Sequence, residues 1–284
     1  MNVALPTTLA ELLAKAQVLG VDRLDAQLLA AHRLGRDRTW VIAHGELQLA
    51  PPQAEAMLEL LRRRSKGEPL AYLTGSREFF GLRLDVSSDV LVPRPDTESL
   101  VEWALELLSG RFTERAAPRV IDLGTGSGAI ALAIKHTCPR AEVHASDLSG
   151  AALAVARGNA ERLGLTVHFH AGAWWMAVPG RRFDLALANP PYVAAGDPHL
   201  LALRHEPKVA LTPAGDRGDG LADIERIVGG AAAHLEAGAW LLLEHGADQA
   251  EPVRERLLRH GFRSPITRAD LAGRDRVTGA VYPG

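Results

Sequence analysis

Asn189-Pro190-Pro191-Tyr192 carries the clearest chemical content in this sequence. The consecutive prolines remove backbone donors and fix φ. The segment therefore displays acceptors, the Asn189 side-chain oxygen and the Pro190 carbonyl, with the flat face of Tyr192 beside them. Such a display matches a planar NH2 group, whose hydrogens each need an acceptor and whose flat body needs a stacking partner. A polar turn after a buried strand would explain Asn-Pro alone, but not the second proline and the tyrosine. Upstream lies Asp122-Leu123-Gly124-Thr125-Gly126-Ser127-Gly128. Its glycines let the backbone adopt unusual dihedrals and approach a ligand closely. Amides at the start of the following helix would receive the ligand's polar atoms. Asp147 follows roughly twenty residues on, where a carboxylate can accept the hydroxyls of an adenosine ribose. Gly124-x-Gly126-x-x-Ala129 also fits the relaxed dinucleotide fingerprint, so these residues alone leave a nicotinamide enzyme open.

These segments need a scaffold that brings them together. From Arg119 the chain alternates strand and helix, with strands expected at Val120–Leu123, Glu142–Ser146, Thr166–His170, Phe183–Ala188 and Ala239–Glu244. Helices are expected to start near Ala129, Gly150, Leu221 and Gln249, and Arg263 to Val281 can add a final hairpin around Asp270 to Asp275. The alternation predicts a parallel sheet with helices on both faces, which bind ligands at the carboxyl edge of their strands. Both motifs fall on that edge, the glycine segment after the first strand and Asn189 after the fourth. Before Arg119 the pattern is different. Leu9, Leu12, Leu13 and Ala16 recur at helical spacing up to Gly20, and Asp22 can cap a second helix through Leu24, Leu28, Leu29 and His32 that closes at Gly35. A weaker segment runs from Arg38 to His44, and Pro51-Pro52 suits the first turn of a helix through Met57, Leu58 and Leu61 ending near Gly67. Phe79, Leu82, Leu84 and Val86 followed across Ser87-Ser88-Asp89 by Val90-Leu91-Val92 predict a β-hairpin. Pro93-Arg94-Pro95 interrupts regular structure, and Asp96 or Thr97 can cap a helix through Leu100, Trp103, Leu107 and Leu108.

Composition narrows the function classes. At 284 residues and 47% apolar, the chain can build one large unit and a smaller one. Met1 to Leu9 shows no basic region followed by an apolar run, and no stretch approaches the length of a membrane span. Cys138 is the only cysteine, which excludes an intrachain disulfide and any thiolate cluster. Together these features predict a cytoplasmic protein with no membrane partner. The formal net charge is −2, against the basic surplus usual for proteins that bind nucleic acid through phosphates. The compact basic run, Arg62-Arg63-Arg64 with Lys66, reads as a solvated helix face. No metal site is expected: the eleven histidines, His168 and His170 among them, lack a ligand set with carboxylates.

The sequence resembles the HemK/PrmC family, the glutamine-N5 methyltransferases that modify the Gly-Gly-Gln motif of class 1 peptide chain release factors. The resemblance covers nearly the whole chain. It rests on Gly67-Glu-Pro-Leu-Ala-Tyr-Leu-Thr-Gly75, Phe79-Phe-Gly-Leu82, Val92-Pro-Arg-Pro-Asp-Thr-Glu98, Asp122 to Gly128, Asn189 to Tyr192 and Leu241-Leu-Leu-Glu-His-Gly246. Adenine-N6 DNA methyltransferases share the tetrapeptide, but the Pro-Arg-Pro-Asp-Thr-Glu segment and the helical N-terminus separate this family from them. The resemblance implies an α/β fold, a Rossmann-like class I S-adenosylmethionine-dependent methyltransferase domain with a small N-terminal helical bundle and a β-hairpin linker. The implied domains are 1–75 for release-factor recognition, 76–96 for the linker and 97–284 for methyl transfer.

S-adenosyl-L-methionine is the implied cofactor. Gly124, Thr125, Gly126, Ser127 and Gly128 would hold its methionine part, Asp147 its ribose and Trp174 its adenine, with Asn189 also touching it. Asn189, Pro190, Pro191 and Tyr192 would receive the substrate glutamine, and Asn189, Pro190 and Tyr192 would act in catalysis. The implied partner is a class 1 release factor, bound by a monomer, with no direct nucleic-acid substrate. The chain departs from the family at Ala173, where an acidic residue often precedes the tryptophan, and at His205, where an aromatic usually precedes Glu206-Pro207. An adenine contact is expected to be missing or water-mediated at Ala173, and His205 to replace a packing ring.

Overall fold

The computed structural model describes residues 5–284. Met1 to Ala4, the beginning of the stretch read for a targeting signal, lie outside the described residues. The chain divides into two compact units, Met1–Ser76 and Arg77–Gly284.

The first unit is helical. α1 (Leu9–Val18) starts in a capping box in which Thr8 accepts from the Glu11 amide and Glu11 reaches back. α2 (Arg23–Leu34) is capped by Asp22 and ends at Gly35, and α3 (Arg38–Ala43) is capped by Asp37. α4 (Pro51–Ser65) carries prolines in its first turn, where no intrahelical donor is needed. A short α5 (Leu70–Thr74), not anticipated from the pattern, closes the unit. Leu9, Leu12, Leu29, Val41, Met57, Leu58, Leu61 and Leu73 form its core. The basic run is internally paired: Arg62 faces Glu59, Arg63 donates to Glu68 at 2.8 Å, and Arg64 donates to Asp25 at 2.6 Å.

The second unit opens with the hairpin of β1 (Ser76–Phe79) and β2 (Leu82–Asp85). Its turn is Phe80-Gly81, both at positive φ as tight hairpin turns require. The hairpin expected across Ser87-Ser88-Asp89 is therefore displaced. Val90 and Val92 are buried, which explains their strand-like alternation, but the Val92 amide donates to Glu206 at 3.0 Å instead of to a strand. A 3-10 turn, Pro95–Thr97, leads into α6 (Glu98–Ser109). Thr97 makes no side-chain cap, because its hydroxyl is engaged elsewhere.

The remaining elements are β3 (Arg119–Leu123), α7 (Ala129–Thr137), β4 (Glu142–Asp147), α8 (Gly150–Leu163), β5 (His168–Ala171), β6 (Phe183–Ala188), α9 (Ala222–Gly230), β7 (Leu235–Glu244), α10 (Ala250–Arg259), β8 (Arg263–Ala269) and β9 (Asp275–Val281). The sheet order is β5-β4-β3-β6-β7-β9-β8, parallel from β5 to β7, with β9 antiparallel to both its neighbours. One sheet face packs Val120, Val143, Leu185, Leu187 and Leu242 against α6 and α7. The other packs Ile121, Leu123, Ala186, Leu241 and Leu243 against α9 and α10. The order reverses between β3 and β6, which places the ligand crevice of an open α/β sheet at their carboxyl ends. Among the described residues no helix is long and apolar enough to cross a membrane.

Candidate active site

β3 and β6 are paired in parallel with Leu123 opposite Ala188, so the glycine loop and Asn189 leave the sheet side by side. Both sequence-predicted motifs thus meet at the topological switch.

The loop is held from beneath. Gly124 and Thr125 donate their amides to the Ser146 carbonyl at 2.8 and 2.9 Å, Gly126 donates to the Asp147 carboxylate at 2.9 Å, and Gly128 donates to Thr125 at 2.9 Å. These amides anchor the loop, because β4 ends directly beside it. The loop is flanked by two carboxylates, Asp122, which accepts from the Thr125 hydroxyl, and Asp147, which accepts from the Gly126 amide.

Asp122 is fully buried, accepts from the Thr125 hydroxyl at 2.6 Å, and is pushed up to about 7 by desolvation. Its second oxygen has no hydrogen-bond partner. Asp147 accepts from the Ser149 and Gly126 amides at 2.8 and 2.9 Å, and burial holds its carboxyl above the usual range in spite of them. Trp174, at positive φ, lays its ring over Gly124: a Cβ there would stand 3.0 Å from the ring, so only glycine admits it. The Trp174 indole donates to Asp223 at 3.3 Å. Ala173 precedes it without a carboxylate, and Glu206, after the half-buried His205, pairs with Arg94 and the Val92 amide.

Asn189 is oriented. Its Nδ2 donates to the Thr97 hydroxyl at 3.1 Å, which leaves Oδ1 as the acceptor available to an incoming group. The Thr97 side chain also faces the carboxylate of Glu244 at the end of β7 and favours its charged form. Glu244 also accepts from the Tyr192 hydroxyl at 3.3 Å. Burial pushes Glu244 up to about 7 and, with the nearby Glu244 charge, raises the Tyr192 phenol well above its ordinary value. Tyr192 is therefore more than a flat face. Behind it, Arg276 lies 3.3 Å from Asp96 and 3.4 Å from Asp270, while its charge bears on Glu244 and Tyr192. Gln249 donates to the Tyr192 carbonyl at 3.0 Å, and Gly220 sits so close that a Cβ would fall 2.1 Å from the same oxygen. Asn189, Pro190 and Tyr192 line a cavity of about 70 Å³ together with Leu91, Arg94 and Leu211.

Thr97, Glu244, Arg276, Gln249 and Gly220 were not singled out as site residues from the sequence. Thr97 and Glu244 lie in the segments Val92 to Glu98 and Leu241 to Gly246, where the visible signals are a polar residue two positions after Pro95 and a carboxylate ending an apolar strand.

Comparison with known proteins fits this geometry. Residues 7–75 match the family model of the PrmC N-terminal domain, and residues 98–215 that of the methyltransferase small domain. The release factor glutamine methyltransferase of Bordetella pertussis is 51% identical, across 96% of this chain and 98% of that protein. The chain belongs to the release factor glutamine methyltransferase family. The Escherichia coli release factor glutamine methyltransferase is 41% identical over 96% of this chain and 97% of its own length. Among solved structures, the catalytic domain of human METTL16 in complex with an RNA hairpin aligns at a TM-score of 0.55 over 82% of this chain and 81% of that one. At 17% identity that likeness speaks to the class I methyltransferase fold alone. The chain is a methyltransferase with this fold.

Proposed function

We propose that this enzyme transfers a methyl group from S-adenosyl-L-methionine to the side-chain amide nitrogen, N5, of the glutamine in the Gly-Gly-Gln motif of class 1 peptide chain release factors. It acts as a monomer in the cytoplasm and supports translation termination. The observation that carries this reading is the orientation of Asn189 by Thr97, which turns an amide oxygen outward beside the glycine loop.

Bound cofactor would supply an electrophilic methyl on a sulfonium. Gly124, Thr125, Gly126, Ser127 and Gly128 would hold its methionine part, Asp147 the ribose and Trp174 the adenine. An amide nitrogen is a poor nucleophile because its lone pair is delocalised into the carbonyl. Asn189 Oδ1 and the Pro190 carbonyl would accept its hydrogens and favour pyramidalisation, while Pro191 stiffens the turn and Tyr192 holds the flat amide. This is positioning and electrostatic catalysis, with no strong base required. The helical unit, residues 7–75 by its family match, is assigned to recognition of the release factor. The net charge of −2 and the paired Arg62, Arg63 and Arg64 favour a protein over a nucleic-acid substrate.

Mass spectrometry of a release factor after incubation with enzyme and cofactor tests the reading. One added methyl on the Gly-Gly-Gln glutamine is expected. Asn189→Ala should lower single-turnover transfer about 10²–10³-fold while cofactor affinity is retained. Methylation at another residue, or near-normal transfer by the variant, would refute it.

A further inference from the structure

The sheet edge carries a second cluster, distant in role from the crevice. β4 presents Glu142 and His144 two residues apart, and β5 presents His168 and His170 with the same spacing. Side chains two apart on a strand share a face, and the parallel register sets His144 opposite His168. Strand pairing therefore brings the Glu142 carboxylate, already beside His144 on β4, to the histidines of β5. His144 is buried, with Nε2 2.9 Å from the Glu142 carboxylate and Nδ1 2.9 Å from His170 Nε2. Its ring lies 4.8 Å from that of His168 and 5.1 Å from that of His170.

We propose that Glu142, His144 and His168 form a binding site for a borderline divalent cation of the zinc class. One ligand atom from each lies within 4.8 Å of the others. Tetrahedral ligands at zinc stand about 3.4 Å apart, so the set must contract. The residues that would move are the exposed His168 and the Glu142 side chain, itself 40% exposed, while buried His144 stays fixed. With the cation on His144 Nε2, Nδ1–H donates to His170, the outer partner that fixes the tautomer of a metal-bound imidazole. Two imidazoles and one carboxylate select for borderline ions that bond well to imidazole over hard cations, which prefer oxygen ligands. Three protein ligands leave a position for water, as in open zinc sites. The bound ion would staple edge strand β5 to β4, upstream of Asp147 and Trp174.

Titration of chelator-treated full-length enzyme with Zn2+ alone tests the site. One equivalent should bind and raise the Tm, Mg2+ should do neither, and His168→Ala and Glu142→Gln should each weaken Zn2+ at least tenfold. Both substituted positions are exposed or half-exposed, so the variants should fold, which unchanged far-ultraviolet circular dichroism would verify. Zn2+ affinity unchanged in both folded variants would place any bound zinc on other histidines and overturn the proposal. So would no zinc binding by the parent enzyme, or an equal Tm rise with Mg2+.

Discussion

Asn189 can serve as an acceptor only if its amide is held one way round, and Thr97 is what holds it. A free carboxamide presents oxygen or NH2 with similar ease; donation of Nδ2 to the Thr97 hydroxyl, whose own proton faces the Glu244 carboxylate, removes that choice. Thr97→Val keeps the shape but cannot accept. A net hydrogen bond of about 1 kcal/mol corresponds to roughly a fivefold loss in turnover at saturating cofactor. Thr97→Ser should restore most of it. Equal turnover of Val and parent enzymes would show that Asn189 is oriented by something else. Asn189 and Tyr192 stood out in the sequence because two prolines between them have no purely structural need. Thr97 did not, because a threonine before a helix reads first as a cap.

At the scale of elements, the carboxyl ends of β3, β6 and β7 converge, so that Glu244 at the end of one apolar strand reaches Tyr192 after another. Such a buried carboxyl has a consequence for stability. The folded Glu244 titrates near 7 against an ordinary value of 4.5, so the folded state holds its proton more tightly than the unfolded one. That contribution is fully present below about pH 4.5 and is lost as pH rises through 7, on the order of 3 kcal/mol at most. Glu244→Gln should flatten this part of the profile, read by denaturant unfolding at pH 5 and pH 8. An unchanged difference between the two pH values would assign it to another group, of which Asp122, also near 7, is the first to test. The strands themselves were legible, since β-branched and apolar runs bounded by glycine and proline leave little alternative. The hairpin was misplaced because burial of Val90 and Val92 imitates strand alternation, while the carboxylate that takes the Val92 amide lies at Glu206, far along the chain.

The whole molecule is two compact units that part at Ser76 and Arg77. Each has its own core, one built on Leu9, Leu29 and Leu61 and the other on the two faces of the sheet. A chain beginning at Arg77 should therefore fold, bind S-adenosyl-L-methionine with little loss, and lose turnover on an intact release factor. Calorimetry and methyl transfer, measured separately, check the two halves of that expectation. Full-rate methylation of the intact factor by the shortened chain would remove recognition from the helical unit.

Local chemistry by itself determined the alternating sheet, the helical start, the glycine loop after β3 and the acceptor turn after β6, because backbone freedom, hydrophobic period and proline constraint all act within a few residues. Tertiary structure decided the rest. It turned the loop amides inward onto Ser146 and Asp147, tied Asn189 to Thr97 beside Glu244, pressed Gly220 against the Tyr192 carbonyl, and set Glu142 and His144 beside His168. Each of these depends on which strand lies next to which and in what register, and pairing between distant segments leaves no periodic mark on either of them.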